Sequence, residues 1–65
     1  MRDLTEIEIK IYDTIIELNN DGEANLKDII QKTGFSENTV REIITELKKF
    51  GEIYESSQDR YRVLR

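Results

Sequence analysis

The chain has 65 residues, of which 37% are apolar and 37% are charged, and its net charge is -4. A chain of this length buries a small core, so we expect a single domain over residues 1–65. It contains no cysteine and no histidine, which excludes disulfides, thiolate chemistry and the commonest metal ligand. There is no membrane-spanning apolar run and no signal-peptide pattern. We therefore expect a cytoplasmic, non-catalytic chain that uses no cofactor, metal, membrane or small-molecule substrate.

The charge is distributed unevenly along the chain. Residues 1–22 hold two basic and six acidic side chains, whereas residues 23–65 hold eight of each. From residue 56 onward there are three arginines and one aspartate. Because nonspecific affinity for DNA comes from basic side chains that neutralise phosphates, the acidic balance opposes a simple DNA-binding function.

The first helix is predicted to start at Thr5, because Thr5 and Glu8 have the spacing of a capping box. It should stop in the turn-forming segment 19–22. Apolar residues recur at helical spacing on one face: Ile7, Ile11, Ile15 and Leu18. A second apolar stripe lies roughly opposite and consists of Ile9, Tyr12 and Ile16. This stripe is either covered by a ribbon of strands from the end of the chain or forms a docking surface for a partner or a second copy.

The second helix is predicted to begin after Asn25, a good capping residue, and to end at Gly34. Its buried face consists of Leu26, Ile29 and Ile30, and Phe35 should fill the core between the second and third helices. The segment 23–24 is too short to assign, although minimal strands often occur there in folds of this kind.

The third helix is predicted to begin after Ser36 and to end at Gly51. Its apolar face consists of Val40, Ile43, Ile44, Leu47 and Phe50. Its opposite face consists of Asn38, Glu42, Thr45 and Lys49, with Arg41 and Lys48 on the flank. The alternation that follows predicts a two-stranded ribbon with Ile53, Tyr61 and Val63 inward, Arg60 and Arg62 outward, and a turn over 56–59.

These elements predict a winged helix-turn-helix, mainly α with a small antiparallel β-ribbon. The predicted core is Ile7, Ile11, Ile15, Leu18, Leu26, Ile29, Ile30, Phe35, Val40, Ile44, Leu47, Ile53 and Val63.

Two functions stay open for the polar surface of this fold. The second helix of a helix-turn-helix can enter the major groove, and wing arginines can hold phosphates. The candidate nucleic-acid contacts are Asn38, Arg41, Thr45, Lys49, Arg60 and Arg62, and Arg65 follows on the same strand. The alternative is that the third helix presents an ordinary solvated or protein-facing surface, and that the arginines protect the exposed edge of the ribbon against aggregation.

The segments 51–55 (Gly-Glu-Ile-Tyr-Glu) and 61–64 (Tyr-Arg-Val-Leu) resemble the C-terminal winged helix of archaeal minichromosome maintenance (MCM) helicases. Leu4-Thr5, the segment 40–42 and the turn 56–59 are also similar to the C-terminal winged helix of the replication protein A middle subunit, a protein-docking module. The first resemblance implies a regulatory domain of a DNA replication helicase whose ATPase lies elsewhere.

The expected function is therefore that of a binding module, monomeric in isolation, that acts through replication proteins or the rest of the helicase. It would contact DNA weakly and associate with the nucleoid. The alternatives are the DNA-binding domain of a small transcription regulator and a pure protein-docking domain.

Overall fold

The computed structural model describes residues 4–64, which form three helices and a three-stranded antiparallel sheet. The helices are α1 (Glu6–Asn19), α2 (Leu26–Thr33) and α3 (Glu37–Lys49). The strands are β1 (Ala24–Asn25), β2 (Ile53–Ser57) and β3 (Arg60–Val63). Because α2 and α3 form the helix-turn-helix and β2 and β3 form the wing, the predicted winged helix-turn-helix is confirmed. Arg65 lies outside the described residues.

The helix boundaries follow from side-chain caps. At the start of α1, the Thr5 amide donates to Glu8 Oε1 at 2.9 Å and the Glu8 amide donates to Thr5 Oγ1 at 3.3 Å, which completes the predicted capping box. Asn25 and Ser36 cap α2 and α3 in the predicted way. Gly34 ends α2 with φ at 75°, a left-handed conformation that glycine adopts without strain.

The sheet has the order β1-β3-β2, so that the last strand lies between the other two. The two residues of β1 pair with β3, and Ala24 lies opposite Tyr61. The amide of Leu26 adds a hydrogen bond to the Asp59 carbonyl at 2.9 Å. The sequence alone does not assign this strand, because its only signal is the distant partner with which it pairs.

The core lies between the three helices and the inner face of the sheet. Its buried apolar side chains are Ile11, Ile15, Ala24, Leu26, Ile29, Val40, Ile44, Leu47, Ile53 and Tyr61. Partly buried side chains pack around it, among them Leu18, Ile30, Phe35 and Val63. Most of the predicted core is thus found at the centre or at the rim of the observed core.

Two apolar predictions are wrong. Ile7 is 43% exposed, because the buried face of α1 centres on Ile11 and Ile15, and Ile7 lies one turn nearer the helix start. There it lines a shallow depression with Phe35. Phe50, predicted to lie on the inner face of α3, is 52% exposed, because it follows the last helical turn in a non-helical conformation.

The wing turn is shorter than the predicted 56–59. Ser56 and Ser57 belong to β2, with a register irregularity between Glu55 and Ser57. Asp59 takes a positive φ of 59°, and its amide donates to Glu55 Oε2 at 2.8 Å. This local hydrogen bond allows the strands to be joined by two residues instead of four.

Asn19 fixes the end of α1 to the sheet. Its side-chain amide donates to the carbonyls of Gly22 and Tyr61, each at 3.1 Å, and its side-chain oxygen accepts from the Val63 amide at 2.9 Å. One side chain therefore closes the turn after α1 and holds β3 against the helix.

Candidate interaction surfaces

The outer face of α3 carries four of the predicted nucleic-acid contacts, and its only arginine is already occupied. Arg41 Nε lies 2.8 Å from Glu37 Oε2, one helical turn away, and Arg41 Nη1 lies 3.7 Å from Asp59 Oδ1 in the wing turn. The hydrogen bond to Glu37 is the main reason why the pKa of Arg41 is raised further above its ordinary value. A phosphate or a base at this guanidinium would therefore compete with two carboxylates.

The other three residues on this face are exposed but weakly suited to phosphate. The Thr45 hydroxyl donates to the Arg41 carbonyl at 2.9 Å, so it is engaged within the helix. Asn38 and Lys49 are exposed, and Lys49 is the remaining cation of the set. Glu42 and Glu46 are exposed nearby and line one depression with Thr45. Anionic groups thus interrupt the surface that DNA would approach.

The wing arginines differ from each other. Arg60 Nη1 lies 3.6 Å from Glu23 Oε1, and Glu23 also accepts a hydrogen bond from Ser56. Arg62, two residues along β3, has no ion pair within residues 4–64. Both lie on the wing as predicted, but only Arg62 presents an unneutralised guanidinium.

A second set of ionic contacts ties the wing to α3. Lys48 Nζ lies 3.2 Å from Glu55 Oε1, while the other oxygen of Glu55 accepts from the Asp59 amide. The hydrogen bond from Asp59, followed by that from Lys48, holds the pKa of Glu55 below its ordinary value. Burial is the main cause that raises the pKa of Tyr61, whose ring lies in the core. The wing is therefore held in a defined position relative to α3.

The second apolar stripe on α1 is divided between the core and the surface. Tyr12 is half-buried and packs against the core, Ile16 is half-buried, and Ile9 is 45% exposed. The wing thus covers only part of the stripe, since Ile16 and Tyr54 lie on the same groove. The exposed part has Glu6 and Asp13 as exposed neighbours on the helix surface.

The groove where α1 meets the wing has a volume of about 510 Å³. Its walls come from the end of α1 and from both long strands, and they consist of Ile16, Asn19, Asn20, Tyr54, Arg62, Val63 and Leu64. Tyr54 and Arg62 are cross-strand partners, so they share one face of the ribbon. Leu64 is 49% exposed and Tyr54 is 41% exposed. The groove combines apolar side chains with two asparagines and one cationic group, so its lining is mixed in polarity.

Sequence reasoning identified the cations of these surfaces but missed their carboxylate partners. Glu23 is remote in sequence from Arg60, and Asp59 is remote from Arg41, so no spacing rule connects them. Glu37 lies one helical turn before Arg41, and this spacing could have indicated the pair. Leu64 was noted only as part of a strand. The alternation of residues 61–64 is the signal that could have placed Leu64 beside the ribbon.

The described part of the chain shows no other kind of site. Within residues 4–64 there is no group of three or more acidic side chains placed to hold a metal ion. Among the described helices, none has the length and apolar character needed to cross a membrane.

Comparison with known proteins assigns the chain to a family. Among solved structures, the crystal structure of T. acidophilum IdeR is similar, with a TM-score of 0.74 and 22% sequence identity. The match covers 98% of this chain but 30% of that one, and at this identity it shows the fold alone. A comparison with curated proteins gave no match. The family model described as the MCM protein C-terminal winged helix-turn-helix domain matches residues 6–64, and the chain therefore belongs to this family.

Proposed function

We propose that the chain is a non-catalytic regulatory domain of an archaeal-type MCM replicative helicase, that it is monomeric in isolation, and that it acts mainly through protein contacts. Its place would be the cytoplasm, at the nucleoid, with replication proteins or the rest of the helicase as partners. The family match supports the helicase context. The protein-contact role is supported mainly by the outer face of α3. Its arginine, Arg41, already pairs with Glu37 and Asp59 and is therefore less available to DNA.

DNA contact is the weaker part of this function. The six candidate residues include three arginines, and carboxylates neutralise two of these within the domain. Exposed ion pairs are weak, each contributing roughly 0–1 kcal/mol, so phosphates could displace them. The nearby carboxylates of α3 would still repel the DNA backbone, and the net charge of -4 acts in the same direction. We therefore expect DNA to bind through Arg60, Arg62 and the adjacent end of α3, and only weakly.

The protein contact is assigned to the α1–wing face, which we define as Ile9, Tyr12, Ile16 and the groove beside them. Of the five exposed large apolar side chains within residues 4–64, three lie on this face, namely Ile9, Tyr54 and Leu64. An apolar patch of this kind, rimmed by polar residues, is typical of a protein-binding surface. A protein segment of the replication machinery is the occupant that fits this composition.

The test is an NMR titration of the ¹⁵N-labelled domain with two probes. The first probe is the purified MCM motor from the same organism, prepared without its own winged helix. The second is a short DNA duplex, with a single strand of the same sequence, at low and moderate salt. We expect the motor to shift signals of the α1–wing face, and DNA to shift signals of the wing only at millimolar concentration and low salt.

The opposite pattern would contradict the proposal. Saturation by micromolar DNA, with shifts centred on Asn38, Arg41 and Thr45, would make the domain a DNA reader. No shift with the motor would remove the rest of the helicase from the proposed partners.

A further inference from the structure

The groove between α1 and the wing has a lining of mixed polarity that contains one cationic group. Of the three arginines within residues 4–64, Arg41 and Arg60 have carboxylate partners and Arg62 has none. Arg62 is also the one that lines the groove, beside Ile16, Tyr54 and Leu64. The domain is acidic overall, yet none of its described carboxylates pairs with this guanidinium. The arrangement leaves a positive group available to an external anion.

The surroundings of Arg62 favour a carboxylate over a phosphate of DNA. Sites that hold a nucleic-acid backbone present several cations or amide donors in succession, because successive phosphates must be neutralised. The groove presents a single guanidinium together with apolar side chains and two asparagines, and the side-chain amide of Asn19 is already used by Gly22, Tyr61 and Val63. A peptide that carries a carboxylate next to a large apolar side chain satisfies both halves of this lining.

We infer that the groove binds a short protein segment in which an aspartate or glutamate pairs with Arg62 while a neighbouring large apolar side chain packs between Ile16, Tyr54 and Leu64. This inference rests on the proposed protein-docking function and adds the chemistry of the partner. The planar guanidinium suits a bidentate contact with a carboxylate. Protein and DNA would then compete for Arg62.

The experiment is a selection of peptides from a random phage-displayed library on the folded domain. Selected peptides are then titrated into the labelled domain and into three variants. Arg62→Gln removes the charge, Arg62→Glu reverses it, and Arg60→Gln is the matched control on the same strand, outside the groove. The thermal unfolding midpoint of each variant verifies that it is folded. Leu64→Ser is a second variant that alters the apolar wall and keeps Arg62.

We expect the selected peptides to share an acidic residue next to a large apolar one and to shift Ile16, Tyr54 and Leu64. Their affinity should fall about tenfold with Arg62→Gln, as for a lost hydrogen-bonded charge, and stay unchanged with Arg60→Gln. Selection on Arg62→Glu should replace the acidic residue by lysine or arginine. Leu64→Ser should weaken binding without changing the preference for an acidic residue.

Several results would overturn the inference. The first is that the library yields no binders, or that the selected peptides share no acidic residue. The second is that the Arg60 and Arg62 variants lose peptide affinity equally. The third is that single-stranded DNA binds the groove more tightly than any peptide does. Peptides that bind at Ile9 and Tyr12 without regard to Arg62 would overturn it while leaving the docking function standing. Conversely, acidic peptides in the groove together with no shift from the MCM motor would support the groove chemistry and contradict contact with the motor.

Discussion

At the scale of single residues, the Asn19 side chain joins backbone groups of three other residues. We predict that Asn19→Ala lowers the free energy of unfolding by about 1–3 kcal/mol, because it removes the hydrogen bonds to partly buried backbone groups of Gly22, Tyr61 and Val63. Urea unfolding monitored by circular dichroism measures this. The neighbouring Asn20→Ala is the control, since Asn20 is exposed, and it should change stability by less than about 0.5 kcal/mol. Equal effects of the two changes would disprove the assigned role.

Glu55 gives a pH dependence of stability with a definite sign. Its pKa is lower in the folded domain, because the Asp59 amide and Lys48 favour the carboxylate. Its contribution is therefore fully present above the ordinary value of 4.5 and is lost as the pH falls through the lower folded value. We predict that the difference in unfolding midpoint between the wild type and Glu55→Gln shrinks on acidification from about pH 6 to about pH 3.

The control for this pH series is Glu42→Gln, which removes a carboxylate from the exposed face of α3. The Glu42 side chain forms no hydrogen bond or ion pair within residues 4–64, so this change should have little effect on the unfolding midpoint. A constant difference for Glu55→Gln over the whole series would show that the contacts of Glu55 do not stabilise the folded wing.

At the scale of elements, α3 depends on its cap. The Ser36 hydroxyl accepts a hydrogen bond from the Thr39 amide at 3.2 Å. Because this helix end is exposed, water can bind the Thr39 amide when the hydroxyl is removed. We predict that Ser36→Ala costs about 1 kcal/mol of stability and that Ser36→Gly costs only a few tenths, the order expected at an N-cap position. Thermal unfolding of the two variants provides the comparison. A greater loss with glycine than with alanine would mean that Ser36 does not act as a cap.

The elements were largely predictable from the sequence, because their signals are local. Thr5 with Glu8, Asn25, Ser36 and Gly34 mark helix ends by interactions within a few residues. The failures have a tertiary origin. Whether an apolar side chain on the end of a helix is covered depends on which element lies above it, and this is why Ile7 and Phe50 were misplaced.

The candidate site was less predictable than the fold. The six nucleic-acid candidates were chosen by residue type, but their availability depends on the carboxylates that face them. Arg41 and Arg60 pair with Asp59 and Glu23 only after β3 has joined the sheet. The sequence could therefore indicate which residues carry positive charge, but not that Arg62 alone among the described arginines would be left without a carboxylate.

At the scale of the whole molecule, the distribution of acidic side chains determines which surface of the domain can bind nucleic acid. We predict that Glu42→Gln with Glu46→Gln raises DNA affinity more than Glu6→Gln with Asp13→Asn, although both pairs change the net charge equally. The reason is that the first pair lies on α3 near the proposed DNA contacts, whereas the second lies on α1. Fluorescence anisotropy with labelled DNA over a salt series measures both. Equal gains would show that only the overall charge matters, and would remove α3 and the wing as the contact surface.

The two hydrogen bonds between the Asn19 side chain and β3 have a consequence for how the protein is made. They join residues that are 42 and 44 positions apart in a chain of 65. While the ribosome extends the chain from its amino end, α1, α2 and α3 can emerge and begin to associate, but Ile11 and Ile15 lack the cover of Tyr61. Because β3 also pairs with both other strands, the sheet cannot form before residues 60–63 have left the exit tunnel. The fold of this domain therefore waits for its last strand, and a nascent chain halted before β3 would expose its core.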